Sequence, residues 1–243
     1  MGGDPARAPM QVFCLAHAGG GGAHFRAWSW LAPYASVVPL DLPGHGGRLG
    51  EPLVEDWEVL VGELAETVAA QVDRPFVLFG HSFGALLAFD LSHRLLSRGL
   101  PPALLAVAGR NGPSASSAHP PVHGLPAPQF VSALRRLGGM PDELLRQPEL
   151  LQMFLPVLRA DLRLAERYAR PAVPALPVPV MAFAGEADPM TDDLGMLAWK
   201  REAAGICELV FLEGGHFFLD SPQFASALTE RIARLAHPVV ASA

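Results

Sequence analysis

The chain has 243 residues, half of them hydrophobic, and a formal net charge of −6 at pH 7. This length is sufficient for one domain with a substantial core. The negative charge gives no electrostatic attraction to nucleic acid, and no apolar run approaches the ~18 residues of a transmembrane helix. The first residues lack the pattern of a secretory signal. We therefore expect a soluble cytoplasmic protein that binds neither nucleic acid nor a membrane.

Strand-like apolar runs alternate with helix-like segments along most of the chain. The runs cover residues 10–16, 36–40, 76–80, 103–108, 178–184 and 207–212. Uncharged runs without polar alternation are typical of strands buried on both faces, so they predict a mainly parallel sheet flanked by helices. The predicted fold class is α/β, with residues 1–243 forming a single domain.

The first strand-like run leads into four glycines, Gly19–Gly22. Glycines let a backbone amide approach a ligand closely, without side-chain obstruction. A dinucleotide-binding turn is the rival interpretation, because Asp41 follows about 20 residues later. Its spacing fails, since the positions for a third small residue hold His24 or Phe25.

The segment Phe76–Gly84, FVLFGHSFG, places Ser82 between two glycines directly after a strand. In a GxSxG turn the chain passes sharply from strand to helix, and Gly80 and Gly84 provide the small residues that this turn needs. Helical spacing follows and stops at Gly99. We interpret the segment as a nucleophile elbow with Ser82 at its tip.

Acyl chemistry at Ser82 also requires two backbone N–H donors for the tetrahedral oxyanion. The Phe83 amide, directly after the nucleophile, is the first candidate. The second donor should follow the first strand, where we favour Ala18 and keep Gly19 as an alternative.

Residues 112–177 interrupt the alternation of strands and helices. They contain Pro-rich joints around helical stretches near 128–137 and 148–170, and no strand-like run. We interpret this segment as a helical lid inserted into the domain. Most of its regularly spaced apolar side chains are expected to pack in the core, and a role over an acyl pocket is a further hypothesis; they are Leu150, Leu151, Phe154, Leu155 and Leu158.

A serine hydroxyl is a weak nucleophile at neutral pH, so Ser82 predicts a histidine base and a carboxylate later in the chain. His216 follows a strand-like run and a Gly-Gly loop, and it is the candidate base. Asp188, in the loop after the 178–184 run, is the preferred acid, with Glu186 as its main rival. His216 would take the Ser82 proton as an acyl-enzyme forms, while Asp188 orients the imidazole.

The cysteines and the remaining histidines give no sign of a metal site. Cys14 and Cys207 lie in strand-like runs without a CxxC pattern, so we expect buried free thiols. His119 and His123 are four positions apart, but the two prolines between them argue against one helical face. We expect neither a metal nor a cofactor.

Six short motifs are spread along the chain: HAGG at 17–20, GHSFGA at 80–85, GR at 109–110, LRRLGGMP at 134–141, LPVLRAD at 155–161 and GGHFFL at 214–219. GHSFGA alone indicates only an α/β-hydrolase. The combination resembles the stand-alone type II thioesterases of nonribosomal peptide and polyketide synthesis. Two positions differ from many relatives: Phe83 replaces Met, and LPGHGGR at 42–48 replaces a PGRE-like segment.

The resemblance implies an α/β-hydrolase fold with a triad of Ser82, Asp188 and His216. It implies that the protein hydrolyses acyl groups from the phosphopantetheine arm of an acyl or peptidyl carrier protein, for editing or for product release. A carboxylesterase, a lipase or an acyltransferase of the same fold is an alternative. An interaction protein that has lost its chemistry is disfavoured, because no triad member is missing.

Arginines are frequent in the predicted lid, and an acidic carrier protein would need a local basic or apolar patch for docking. For any single arginine we favour a solvated helix face as the interpretation. The candidates are Arg135, Arg136, Arg159, Arg163, Arg167 and Arg170.

Overall fold

A computed structural model describes residues 8–115, 119–138 and 146–237. Its six strands form one sheet in the order β2-β1-β3-β4-β5-β6, and every neighbouring pair is parallel. The strands are β1 Met10–Leu15, β2 Ala35–Leu40, β3 Phe76–His81, β4 Leu104–Ala108, β5 Val180–Gly185 and β6 Cys207–Leu212. The predicted parallel sheet and its six strands are confirmed.

Helices cover both faces of the sheet. They are α1 Trp57–Gln71, α2 Phe83–Ser97, α3 Ala127–Arg136, α4 Pro148–Arg167, α5 Asp193–Leu197, α6 Trp199–Glu202 and α7 Pro222–Ala236. Short 3₁₀ helices include His24–Ala27 and Phe218–Asp220. Within the described residues, no helix has the length and apolar character needed to cross a bilayer.

Two short helices, α5 and α6, lie between β5 and β6. The Asp192 side chain caps α5 by accepting a hydrogen bond from the Gly195 amide at 2.8 Å. Ala198, between the two helices, keeps a right-handed helical backbone, and Trp199 after it is fully buried in the core.

Each face of the sheet has its own hydrophobic core. Successive residues of β1 alternate between the two cores, with Phe13 and Leu15 on one face and Val12 and Cys14 on the other. Burial on both faces explains why the strands carry almost no charge. Cys14 is buried as expected, but Cys207 is only partly buried because it begins the edge strand β6, so the expectation for Cys207 was wrong.

The predicted lid packs differently from expectation. α3 and much of α4 do not join the main core. These two amphipathic helices cover each other and form a separate hydrophobic cluster, the lid cluster. The apolar side chains of this lid cluster include Phe130, Leu134, Leu151, Phe154, Leu155 and Leu158. The side chain of Leu150 lies outside the described residues.

The second half of α4 is attached to the body instead. Leu164 and Ala165 belong to the core on the α1 and α2 face of the sheet. Pro156 lies inside α4, and Leu158 and Leu162 beyond it still belong to the lid cluster. In the described part of residues 112–177, the only β-structure is an isolated bridge from Leu176 to Ala203.

The strand order creates a switch point beside β1. The chain passes from β1 to β2 on one side and returns to β3 on the other side. Loops that leave neighbouring parallel strands in opposite directions open a crevice at the carboxyl ends of those strands, where ligands of α/β proteins bind. The loops that contain Ala18 and Ser82 follow β1 and β3 at this crevice.

We expect Gly80→Ala to lower the free energy of unfolding by at least about 4 kcal/mol, or to prevent folding. A Cβ at Gly80 would lie 2.1 Å from the Gly84 carbonyl oxygen, a backbone atom that cannot yield without moving α2. Urea unfolding followed by circular dichroism measures the change.

The matched control is Gly62→Ala in α1, where an added Cβ meets nothing within 4 Å. This substitution should stabilise the protein by up to about 1 kcal/mol, because alanine loses less conformational entropy in a helix. Similar stabilities of the two variants would contradict the close packing assigned to the turn.

Candidate functional site

Ser82 occupies the sharp turn between β3 and α2. Its backbone has φ 55° and ψ −109°, and it is the one non-glycine residue with positive φ among the described residues. Such a conformation costs about 1–3 kcal/mol and persists only when its surroundings enforce it. The Ser82 N–H donates to the Ala108 carbonyl at 2.8 Å, and the Ala85 N–H donates to the Ser82 carbonyl at 3.0 Å.

Close packing around the turn supplies the rest of the constraint. A Cβ at Gly84 would lie 2.4 Å from the Leu15 carbonyl oxygen of β1. α2 therefore starts almost in contact with the end of β1 as well as with β3. The side chain of Ser82 is held at the rim of a cavity that the loop after β1 also lines.

Asp188 and His216 are brought together from separate loops. The Nδ1 atom of His216 lies 2.9 Å from the Oδ2 atom of Asp188, and both side chains are almost fully buried. Because a carboxylate accepts, Nδ1 carries the proton and Nε2 is left as an acceptor. The Met190 N–H donates to the other Asp188 oxygen at 2.8 Å. Glu186, the rival acid, is exposed to solvent.

Ser82 and His216 line the same cavity. The described residues show no hydrogen bond between the Ser82 hydroxyl and His216. Such bonds are often long in enzymes without substrate and tighten when substrate binds. The geometry therefore joins base and acid directly and places the nucleophile at the shared cavity wall.

The His81 side chain holds the backbone of His216 through a hydrogen bond. Its Nε2 lies 2.9 Å from the His216 carbonyl oxygen, and the two ring centroids are 4.9 Å apart. Burial, together with the charges of His216 and His17, holds the pKa of His81 well below its usual range. His81 is thus a neutral imidazole with its proton on Nε2, because a carbonyl can only accept.

His17 forms another neutral wall of the cavity. Burial lowers the pKa of His17 to about 3, with further contributions from the charges of His216 and His24. Its ring packs edge-on against Phe217 at a centroid distance of 5.0 Å. The nearby rings of His17 and His81 are therefore both uncharged, so neither repels a proton bound by His216.

The two candidate oxyanion donors lie on either side of the switch point. Phe83 is the first residue of α2, where the first four amides have no partner within the helix. Ala18 lines the cavity. The Gly19 amide donates to Oδ2 of Asp161 at 2.7 Å. That hydrogen bond engages the alternative donor Gly19 and leaves Ala18 as the favoured one.

Asp161 and His45 form a buried pair that the sequence analysis did not assign to the site. Oδ2 of Asp161, on α4, lies 2.8 Å from Nε2 of His45, and Nδ1 of His45 donates to the Pro43 carbonyl at 2.9 Å. Both side chains are at most 5% exposed. A carbonyl and a carboxylate both accept, so His45 holds protons on both nitrogens.

Burial alone lowers the pKa of His45, but the hydrogen bond and the charge of Asp161 outweigh it and raise that pKa above 6.5. One sequence signal could have revealed this pair: an acidic residue, Asp161, on the apolar side of a helix. Asp161 is three positions after Leu158 and four before Ala165, and all three are buried. Such a residue needs a buried partner.

The cavity lies between the body and the predicted lid, and its volume is about 140 Å³. α2, α3 and α4 contribute apolar side chains to its wall, and Arg110 is a cationic side chain within it. The apolar lining includes Leu86, Leu134, Leu137, Leu158, Leu162 and Ala165. The arrangement places a candidate nucleophile, base and acid beside a pocket suited to an acyl chain.

The family model for the thioesterase domain matches residues 10–235. The chain belongs to the thioesterase family. The thioesterase is 36% identical over 223 residues to linear gramicidin dehydrogenase LgrE of Brevibacillus parabrevis, covering 90% of this chain and 85% of LgrE. It is 36% identical over 218 residues to thioesterase PikA5 of Streptomyces venezuelae, covering 87% of this chain and 76% of PikA5.

Among solved structures, the thioesterase resembles the type II thioesterase BorB from the borrelidin biosynthetic cluster. The TM-score is 0.85 at 34% identity, covering 97% of this chain and 95% of BorB. The predicted α/β-hydrolase fold and the predicted resemblance to type II thioesterases are confirmed.

Although LgrE is named a dehydrogenase, the glycine run of the thioesterase does not form the dinucleotide turn weighed as an alternative. The run leads into a 3₁₀ helix of four residues, His24–Ala27. Asp41, which would hold a ribose, instead accepts hydrogen bonds from the Gly22 amide at 2.5 Å and the Gly47 amide at 2.9 Å. No metal-ligating cluster occurs in the part of the chain that the structure describes.

We expect His45→Gln to destabilise the protein more at about pH 5.5 than at about pH 9. The pKa of His45 is raised above 6.5 in the folded protein. The stabilisation from its protonated form is therefore complete below the unfolded-state pKa and is lost as the pH rises through the folded-state pKa. Urea unfolding of both proteins across this pH range measures the difference.

His93→Gln is the control with the opposite sign. Burial and the charge of Arg170 lower the pKa of His93, so the unfolded protein binds a proton there more readily at acid pH. Replacing His93 should improve relative stability as the pH falls. A stability difference for His45→Gln that does not depend on pH would contradict the charged pair.

Proposed function

We propose that this thioesterase hydrolyses acyl groups from the phosphopantetheine arm of an acyl or peptidyl carrier protein, using Ser82, His216 and Asp188. The observation that carries the proposal is the buried contact of 2.9 Å between His216 and Asp188 beside the cavity that Ser82 also lines. The family membership gives the reaction class. The names of two similar proteins support a role in a biosynthetic pathway. PikA5 is named a thioesterase, and BorB comes from a biosynthetic cluster.

In the first half of the reaction, the Ser82 oxygen attacks the thioester carbonyl while Nε2 of His216 accepts the hydroxyl proton. The tetrahedral intermediate collapses as its carbon–sulfur bond breaks, and His216 returns the proton to the departing pantetheine thiol. Asp188 holds the imidazole in the correct tautomer and stabilises its positive charge. In the second half, His216 activates a water molecule that attacks the acyl-enzyme, and the freed proton returns to Ser82.

The oxyanion in both halves is bound by the backbone N–H groups of Phe83 and Ala18. These amides come from the first residue of α2 and from the loop after β1, the two sides of the switch point. Fixed backbone donors are effective because they need no reorganisation when charge develops. The engagement of the Gly19 amide by Asp161 supports Ala18 as the second donor.

Residues 112–177 act as the lid of this site. Their support comes from the cavity wall, to which α3 and α4 contribute Leu134, Leu158 and Leu162. A cover of this kind excludes bulk water while an acyl chain is bound. The separate lid cluster keeps α3 and α4 together as one cover.

A carrier protein would dock on exposed arginines of the lid. Arg159 lies over the Phe130 ring, Arg163 pairs with Glu55, and Arg170 pairs with Glu202, so these three are engaged within the chain. Arg135, Arg136 and Arg167 are exposed. Positive side chains on a protein of net charge −6 provide the local complementarity that an acidic partner needs.

Both cysteines are free thiols, consistent with a cytoplasmic location.

We expect carrier-bound acyl thioester to be cleaved faster than the matching acyl-coenzyme A and faster than a simple oxygen ester. Ser82→Ala should lower kcat by about 10⁴-fold or more, because it removes the nucleophile. Steady-state release of the carboxylic acid measures the cleavage of all three substrates, and thiol release checks the two thioesters. Ser97→Ala, the same substitution at the other end of α2, is the control and should retain activity. Faster cleavage of the oxygen ester would instead assign a carboxylesterase.

Asp188→Asn should lower kcat by about 10⁴-fold with little change in KM, because the amide no longer holds the catalytic tautomer of His216. Glu186→Gln is the matched control two positions away, and it should keep nearly full activity because Glu186 is exposed. Comparable losses in both variants would contradict the assignment of the acid.

A further inference from the structure

We propose that Arg110 binds an oxygen atom of the acyl group, so that the thioesterase selects acyl chains with a carbonyl, hydroxyl or carboxylate oxygen close to the thioester. The inference rests on the proposed hydrolysis at Ser82. It adds the chemical class of acyl group that the same cavity takes.

The sheet register places Arg110 beside the nucleophile. β3 and β4 are parallel and pair His81 with Ala108. One step further along both chains, Ser82 is level with Gly109, and Arg110 is the next residue. Neighbouring strands are about 4.8 Å apart, so the Arg110 side chain starts close to the attacked carbonyl. Arg110 and Ser82 both line the cavity.

The backbone at Arg110 is fixed on both sides. The Gly109 N–H donates to the Phe183 carbonyl at 2.9 Å, and the indole N–H of Trp199 donates to the Arg110 carbonyl at 2.8 Å. Gly109 has φ +62°, and a Cβ there would lie 3.0 Å from Nε2 of His81. These contacts fix the point from which the Arg110 side chain extends beside the cavity.

The guanidinium of Arg110 makes no hydrogen bond or ion pair with the described residues, and the side chain is only partly exposed to solvent. Burial lowers the pKa of Arg110, while the charges of Tyr168 and Glu166 act in the opposite direction. The lid arginines Arg163 and Arg170, by contrast, each pair with a glutamate. Withdrawing a cation from water without an acceptor is costly. A ligand oxygen inside the cavity would provide the missing acceptor.

The acidic and hydroxyl groups nearest to Arg110 are already engaged. The Glu166 carboxylate accepts from the Val122 N–H at 2.8 Å and the His123 N–H at 3.1 Å, and it also contacts the His123 ring. The Tyr168 hydroxyl donates to Asp90 at 2.9 Å. The charges of Glu166 and Tyr168 attract Arg110, but neither side chain forms a hydrogen bond with it among the described residues, so its N–H groups remain available to a ligand.

Apolar side chains line the same cavity as Arg110, together with Glu166 and Tyr168. A saturated acyl chain would desolvate the guanidinium and return no hydrogen bond. A β-hydroxyl or β-carbonyl oxygen accepts one N–H, and a carboxylate accepts two in the parallel geometry that guanidinium favours. Sites built to hydrogen-bond a substrate oxygen discriminate strongly against the analogue that lacks it.

The test compares butyryl, β-hydroxybutyryl and malonyl groups on one carrier protein. We expect the wild-type protein to hydrolyse at least one oxygenated group with a kcat/KM about 10-fold or more above that of butyryl. Arg110→Met, similar in length and uncharged, should lower that value by about 10- to 100-fold while leaving or raising the value for butyryl. Arg110→Lys should restore part of the preference. The comparison of β-hydroxybutyryl with malonyl shows whether Arg110 favours a neutral oxygen or a carboxylate.

Arg234→Met, an exposed arginine of α7, is the matched control and should preserve every ratio. Equal losses of Arg110→Met on butyryl and on the oxygenated groups would overturn the proposal, as would a wild-type preference for butyryl. Calorimetric binding of the same acyl-pantetheines to Ser82→Ala gives a readout without turnover. Tighter binding of the oxygenated groups than of butyryl to Ser82→Ala supports the Arg110 site even if hydrolysis at Ser82 fails. Equal binding of the two kinds of group rejects that site.

Discussion

The left-handed backbone of Ser82 is the constraint on which the rest of the site depends. A serine at φ 55° is strained, and the surrounding chain must hold it there. β1, β3 and α2 do so by approaching so closely that neither Gly80 nor Gly84 has room for a Cβ. The same close approach sets the proposed nucleophile, the start of α2 and the loop after β1 around one crevice. Core packing thus determines where the candidate site lies.

A single carboxylate connects the loop after β1 to the overlying helix. Asp161 of α4 accepts from the Gly19 amide and pairs with His45, so three distant parts of the chain share one buried charge. Breaking such a pair from either side leaves an uncompensated ion, which is far more destabilising than the pair itself is stabilising. The Ala18 to Gly19 peptide is therefore held by the helix that roofs the cavity.

The sequence was sufficient where the signal is local. Six mainly apolar runs predicted the strands, and the GxSxG spacing predicted the turn at Ser82, because both depend on residues within a few positions. The sequence could not reveal contacts made across the fold: His45 meets Asp161 across 116 positions. The exposure of Cys207 depended on strand order, and the lid cluster depended on α3 and α4 covering each other.

The two ends of α4 are anchored to different partners. Leu151, Phe154 and Leu155, together with Leu158 just beyond Pro156, belong to the lid cluster. Leu164 and Ala165, near the other end of the helix, enter the main core. Asp161 lies between these two groups, so the carboxylate that binds the Gly19 amide takes its position from both. Through this one helix, the packing of the lid cluster and the packing of the body jointly set the backbone beside Ala18.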